Sequence, residues 1–288
     1  MLLTLKNKIY FSSFFFICLP IIGIAQISIK KLSFGPIYSI EEFKWSSAGN
    51  IDGSNPNIMS ELVWSGLKVV GAELIAQIRI GRINPRISIY KSFATDGSVV
   101  DTDYTRNNRE GISYQQAFNS SRSTSRQISA QIPINQKECL LFGLFFSHQK
   151  LYIHHKIQNN SSYYNSYFPG IEILNEHHIY NIANLTFRIH SNIKISRYFA
   201  NGNWILRYDL QQPKSFKHYS YNGDISLGLE VKKKINEHLL LSANLQTSFN
   251  KSLNGEDQVY YSNGNVGITQ FNGVEGNKLM LGITVKKI

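Results

Sequence analysis

The sequence predicts an all-β protein, a ten-stranded antiparallel transmembrane β-barrel with short periplasmic turns and long extracellular loops. Apolar and polar residues alternate over segments of about ten residues, whereas strands of soluble proteins average about five or six. Short polar connections alternate with long ones along the chain, as they do in such barrels. The 16 Tyr and 17 Phe residues can form the aromatic girdles at the two membrane interfaces.

The first 25 residues have the features of a secretory signal peptide. Two lysines precede an apolar core at residues 9–24, and Ala25 ends a cleavage site made of small residues. We therefore expect a mature chain of residues 26–288, exported to the outer membrane and forming one barrel domain. This mature chain has one cysteine, Cys139, which excludes an internal disulfide and a thiolate-rich metal site.

The predicted strands follow one another along the whole mature chain. In the clearest strand, Leu241, Leu245 and Phe249 share one face, while Asn244 and Gln246 share the other. A two-sheet sandwich also alternates in this way, so it is the structural alternative. The ten segments are expected to start near Ile27, Ser60, Arg86, Arg126, Leu140, His178, Ile193, His218, Leu239 and Lys278.

The connections between these segments fall into two classes by length and polarity. Short turns are expected at residues 81–84, 135–138, 190–192 and 232–237. Long loops are expected at residues 102–125, 158–176 and 251–277. This asymmetry places the long loops on the extracellular side.

The charge of the chain favours an anionic membrane partner. Of the 30 Lys and Arg residues, two lie in the signal, so the mature balance is 28 − 19 = +9. For an exported protein, this surplus points to membrane phosphates rather than nucleic acid. No phosphate loop, dinucleotide fingerprint or nucleophile elbow occurs, so we expect no cofactor. The pairs His154-His155 and His177-His178 are adjacent in strands and point to opposite faces, so we expect no metal site.

Two carboxylates, Asp101 and Asp103, stand at the end of the third predicted strand. Side chains at i and i+2 of a strand point to one face. Two carboxylates held this close disfavour joint ionisation, so one of them can keep a proton near neutral pH and activate a water. The alternative interpretation is an acidic turn that ends the strand.

Two short stretches of the sequence resemble the omptin family. Residues 60–64 (Ser-Glu-Leu-Val-Trp) are similar to the family's Ser-Gln-Leu-Asp-Trp, and residues 100–104 (Val-Asp-Thr-Asp-Tyr) are similar to its Val-Asp-x-Asp-Trp. Omptins are ten-stranded outer-membrane barrels that cleave peptides at basic residues. The resemblance implies that Asp101 and Asp103 are the first catalytic pair.

The second catalytic couple of omptins is an Asp-x-His between strands seven and eight. This sequence has no Asp-x-His there, but Asp209 and His218 lie nine residues apart, on either side of a short predicted loop. They are the candidates for a rearranged couple, with His218 as the general base. Glu41 and Glu42 are candidates for an acidic pocket that binds a basic substrate residue. The resemblance also implies contacts with lipopolysaccharide, for which the candidates near strand ends are Lys68, Arg197, Arg207, Lys214 and Lys217.

Two functional hypotheses follow from the sequence. In the first, the two couples position a water and the protein is a surface endopeptidase, a hydrolase. In the second, the omptin-like scaffold is not catalytic and its long loops bind a ligand, lipid or partner.

Overall fold

The computed structural model describes residues 27–154 and 161–287; the predicted signal peptide lies outside this part of the chain. The described residues form twelve β-strands and one short 3-10 helix, Asn107–Arg109. The strands are β1 Ile27–Ser47, β2 Ser60–Ile80, β3 Arg86–Tyr104, β4 Ile112–Asn119, β5 Thr124–Pro133, β6 Leu140–His154, β7 Ser161–Ile182, β8 Leu185–Asn203, β9 Phe216–Lys234, β10 Leu239–Ser252, β11 Gly255–Tyr260 and β12 Val266–Lys287.

All of these strands pair antiparallel in one sheet, which confirms the predicted all-β antiparallel class. The sheet closes on itself because β1 pairs with β2 on one side and with β12 on the other. The strand number differs from the predicted ten. Strands β4 and β5 both pair with β3 and β6, one above the other, and β10 and β11 both pair with β9 and β12. A turn at residues 120–123 separates β4 from β5, and its backbone amides bond to Gly97 and Ala94 instead of continuing the ladder.

The prediction of three long loops is wrong for most of the residues that it covers, because they form strands. Strand β4 lies within residues 102–125, β7 already begins at Ser161, and β11 and the start of β12 lie within residues 251–277. These polar, Tyr- and Asn-rich stretches look like loops by composition. In the structure their backbone groups pair with neighbouring strands and lengthen the sheet beyond its apolar part.

The predicted turn at residues 190–192 is also wrong, and so are the predicted strand starts at His178 and Ile193. These residues lie inside β7 and β8, which are joined by a two-residue turn at Ala183 and Asn184. Polar histidines at the end of β7 gave a break in the apolar pattern, but the backbone continues in register to Ile182. The other short connections span residues 81–85, 134–139 and 235–238.

The outer surface of the closed sheet is apolar and its interior is polar, the reverse of a soluble protein. On β10, for example, the outward Leu241, Leu245 and Phe249 are exposed, while Asn244 and Gln246 face a cavity inside the sheet. The same alternation on the other strands produces a continuous apolar belt, as a lipid-facing wall requires. Among residues 27–154 and 161–287, no helix is long and apolar enough to cross a membrane.

The packed core lies at one end of the ring, opposite the short turns. Inward aromatic side chains from β1, β2, β7, β8, β9 and β12 meet there and fill the interior. We call this cluster the aromatic plug: Phe43, Trp45, Trp64, Tyr164, Tyr198, Phe216 and Phe271. Below the plug, a polar chamber of about 350 Å³ occupies the inside of the sheet.

Candidate functional site

Asp101 and Asp103 lie at the plug end of β3 and face inward. Below this point the inward residues of β3 have even numbers, such as Ser92 and Ala94, whereas above it Val99 and Asp101 are buried. The change of parity occurs where the pairing with β2 is irregular: Ala94 pairs with Val69 and Asp96 with Lys68, so Thr95 is an extra residue in β3. A β-bulge adds one residue to a strand and re-aims the side chains beyond it. This bulge therefore directs the side chains of Asp101 and Asp103 toward the inside of the closed sheet.

Asp101 is almost fully buried, with 6% of its surface exposed. The indole Nε1 of Trp204, the first residue after β8, donates a hydrogen bond to Asp101 Oδ2 at 3.3 Å. Burial raises the pKa of Asp101 to about 7, and the negative charge of Asp103 is the second cause. Because burial is the larger cause, loss of water affects the protonation of Asp101 more than the nearby charge of Asp103 does. This carboxyl lies eight residues beyond Phe93, the last large apolar residue exposed on β3.

His218, near the start of β9, is completely buried. Its Nδ1 lies 2.8 Å from the Tyr164 hydroxyl, which in turn lies 2.5 Å from the Tyr198 hydroxyl. Its Nε2 lies 3.2 Å from Asp257 Oδ1 on β11. The distance fits an ion pair, but the two atoms are not aligned as a hydrogen bond. His218 thus contacts a carboxylate, although not the one that the sequence suggested.

Aromatic rings pack around the His218 imidazole. Ring centroids of Phe271, Trp45 and Phe216 lie 4.1, 4.8 and 5.1 Å from that of the imidazole. Phe216 also packs against Trp204, with centroids 5.3 Å apart. The Phe216 ring therefore contacts both the indole that binds Asp101 and the imidazole.

Asp209 does not join His218, so the couple suggested by the sequence is not formed. Both carboxylate oxygens of Asp209 accept hydrogen bonds from Arg207 at 2.8 Å, and both side chains are exposed. The connection between β8 and β9 explains this. In this connection the Gln211 amide donates a hydrogen bond to Tyr260 O and the Leu210 amide donates one to Arg207 O. The Asp209 side chain is exposed on that turn.

Comparisons with known proteins agree with this architecture. The outer membrane protease OmpT from Escherichia coli superimposes with a TM-score of 0.58 at 10% sequence identity, over 91% of this chain and 98% of that one. This chain has the fold of an OmpT-like outer-membrane barrel. Neisserial surface protein A also matches, with a TM-score of 0.37, 12% identity and coverage of 90% and 98%. No protein-family model and no curated protein matches the sequence.

The OmpT-like fold confirms the omptin resemblance as a resemblance of fold. The sequence around His218 reads Phe216-Lys217-His218, so a phenylalanine stands two residues before this histidine, where an Asp-x-His would have aspartate. His218 itself was a sequence candidate, but its contacts with Asp257 and Tyr164 are not visible in the sequence, because they arise only through the pairing of β11 and β7 with their neighbours.

Glu41 and Glu42 do not form a joint acidic pocket. Glu41 faces the inside of the barrel, where it forms an ion pair with Lys278 at 3.0 Å and accepts a hydrogen bond from Ser39. Glu42 is exposed on the outer face. Neighbouring residues of a strand point to opposite faces, so the two carboxylates are not directed to one point, although both residues border the chamber.

The five predicted lipid-contacting residues are dispersed, and four of them have partners in the chain. Lys68 pairs with Asp96 at 2.9 Å, and Arg207 pairs with Asp209. The side chains of Arg197 and Lys217 lie over the rings of Tyr221 and Tyr260. Lys214 is exposed in the connection between β8 and β9.

A denser basic surface, absent from the sequence prediction, lies on the outer face of β5 and β6. Arg126 pairs in register with His148, and Lys150 is the next outward residue of β6. The Lys150 ammonium lies 4.2 Å from the Tyr163 ring centroid, and the His148 ring stacks on Tyr167. Only strand register brings these residues together. In the described part of the chain, no three His, Cys, Asp or Glu side chains gather as a metal site.

Proposed function

We propose that this chain is an outer-membrane protein, a barrel with ten strand positions around the ring, sealed at its extracellular end and without peptidase activity. In this proposal the barrel is a membrane-embedded surface protein that binds outer-membrane lipid. The observation that carries it is the complete burial of His218 in the aromatic plug.

A general base must reach the proton that it removes, directly or through one water. Both nitrogens of His218 are within 3.2 Å of protein atoms, and rings cover its faces. Trp204 contacts Asp101 and packs against Phe216, which packs against His218, so two rings link the aspartate to the histidine where a peptide carbonyl would have to bind. A water held by the aspartates would therefore lack its partner base.

A second candidate function is an endopeptidase whose site becomes accessible when the connection between β8 and β9, which carries Trp204, moves away from Asp101. The pKa of Asp101, about 7, favours this alternative, because a carboxyl that titrates near neutral pH is suited to acid–base catalysis. Trp204 is half-buried and is held by Asp101 and by Ser215. Its displacement would open a path to the aspartate pair.

Cleavage of a fluorogenic dibasic peptide by the refolded barrel in lipopolysaccharide distinguishes these candidates. We expect no turnover for the natural chain and none for Trp204→Ala. Folding is checked by heat-modifiable gel mobility. Turnover that disappears in Asp101→Asn/Asp103→Asn would contradict the non-catalytic proposal and support the endopeptidase. Turnover that persists in the double variant would point to a contaminating protease.

We also propose that the outward surface of Arg126, His148 and Lys150 binds the phosphates of outer-membrane lipid. Two cations and three tyrosine rings, including Tyr152, lie at the upper edge of the apolar belt. Aromatic and basic side chains are the usual contacts of the interfacial zone. Each Lys or Arg near an anionic membrane surface contributes about 1 kcal/mol.

The variant Arg126→Gln/Lys150→Gln is expected to bind lipopolysaccharide about 30-fold more weakly, since two such contacts amount to about 2 kcal/mol. Titration of the detergent-folded protein with lipopolysaccharide, followed by its thermal unfolding, measures the change. The matched control is Lys137→Gln, an exposed lysine in the turn between β5 and β6 at the other end of the barrel. An equal loss in the control would mean that net charge, and not this surface, determines binding.

A further inference from the structure

The polar chamber below the plug contains carboxylates that the chain does not neutralise. Three of its acidic residues have ion pairs: Glu41 with Lys278, Glu176 with Arg86, and Glu230 with Lys232. Three others have no ion pair within 4 Å among the described residues, and these are Glu73, Glu172 and Asp224.

Of the Lys and Arg residues that line the chamber, only Lys194 forms no ion pair with a described residue. Lys194 lies between Glu172 and Asp224 in strand register, because it is opposite Glu172 on β7 and opposite Asp224 on β9. Its ammonium donates a hydrogen bond to Gln127 at 2.9 Å. Lys194 therefore faces two carboxylates at once, and Glu73, Glu172 and Asp224 have no ion-pair partner of their own among the described residues. Charges placed away from bulk water need partners of opposite sign.

The unsatisfied polar atoms of the chamber are a second, independent observation. Gln131 and Asn222 are each 5% exposed, and their amide oxygens have no hydrogen-bond partner in the described chain. The side-chain oxygens of Asn192, Asn244 and Asn250, which line the same chamber, also have none. All five are acceptors. Buried polar groups in folded proteins are nearly always paired, so this set indicates a partner that supplies donors.

We propose that the chamber binds a small organic cation with two or more ammonium groups, a diamine or polyamine. Ammonium groups supply a positive charge for the carboxylates without an ion pair and hydrogen-bond donors for the unpartnered oxygens. The volume of about 350 Å³ equals roughly a dozen waters at about 30 Å³ each, enough for such a molecule. Glu172 and Asp224, flanking Lys194, bind the ammonium groups. The plug closes the extracellular end, so the ligand enters from the side of the short turns.

Equilibrium dialysis of the detergent-folded barrel with labelled spermidine tests this proposal. We expect saturable binding at one site per chain. Glu172→Gln and Asp224→Asn should each weaken it at least tenfold, because each removes one carboxylate partner. Lys194→Gln should tighten it, because this substitution removes the competing positive charge. The matched control is Glu237→Gln, an exposed carboxylate in the turn between β9 and β10, which should leave binding unchanged.

The opposite signs expected for the lysine and carboxylate variants separate binding from damage to the fold, since misfolding weakens binding in every variant. Absence of saturable binding by the natural chain, or weakening by Lys194→Gln in a barrel of normal heat-modifiable mobility, overturns the proposal. Full displacement of spermidine by equimolar Mg²⁺ or K⁺ overturns it too, because the chamber would then hold inorganic counter-ions. These results do not depend on whether the barrel cleaves peptides.

Discussion

Asp101→Asn is expected to stabilise the barrel strongly at pH 8 and only slightly at pH 4. The pKa of this carboxyl is about 7 in the folded state, against an ordinary value of 3.8 for an aspartate in the unfolded chain. Between these values the folded state binds more protons than the unfolded state, so stability falls as the pH rises through this window. The loss of folding stability caused by ionising the buried Asp101 carboxyl is complete above about pH 7. Over about three pH units this loss amounts to roughly 4 kcal/mol as an upper limit. Asparagine removes the charge and keeps an oxygen to accept the Trp204 hydrogen bond.

Urea titration of the detergent-folded protein, followed by tryptophan fluorescence at pH 4 and pH 8, measures this difference. The matched control is Glu110→Gln, an exposed carboxylate next to the short 3-10 helix, for which we expect no pH-dependent gain. Equal stabilisation of Asp101→Asn at both pH values would contradict the assignment, since the gain would then come from packing and not from the charge.

Phe271→Ala is expected to lower the free energy of unfolding by about 3–5 kcal/mol, the usual cost of truncating a buried phenylalanine. Its ring is fully buried in the plug. It lies parallel to Tyr198 at 5.7 Å between centroids and against His218 at 4.1 Å. The surrounding strands are fixed by their hydrogen bonds and cannot collapse into the space that the ring leaves.

The matched control for the plug is Tyr208→Ala, since this aromatic residue is 81% exposed and its loss should change stability by less than about 0.5 kcal/mol. Phe271→Leu should lose less than the alanine variant, because it retains part of the buried volume. A loss of less than 1 kcal/mol for Phe271→Ala, by the usual scale for buried aromatic residues, would mean that the plug does not pack as described.

The local pattern of the sequence was sufficient for the strands of the belt. Strands such as β9 and β10 alternate strictly between the inner and outer faces, so their period of two can be read without any tertiary information. Amino-acid composition gave a wrong loop prediction where a polar stretch forms a strand. Residues 161–176 have the polar composition of a loop, but their backbone hydrogen bonds to β6 and β8 make them β-structure, and such pairing is not visible in one segment alone.

For the candidate site, the sequence by itself determined that two carboxylates end β3 on one face of the strand. It did not determine which face, because the extra residue Thr95 in β3 reverses the parity between the belt and the plug end. The partners of His218 were decided in the same way. Asp257 meets it from a strand 39 positions later in the chain, whereas Asp209, nine positions away, is held by Arg207. Periodicity fixes faces over a few residues, but bulges and long-range register set which faces meet, and only the closed sheet contains that information.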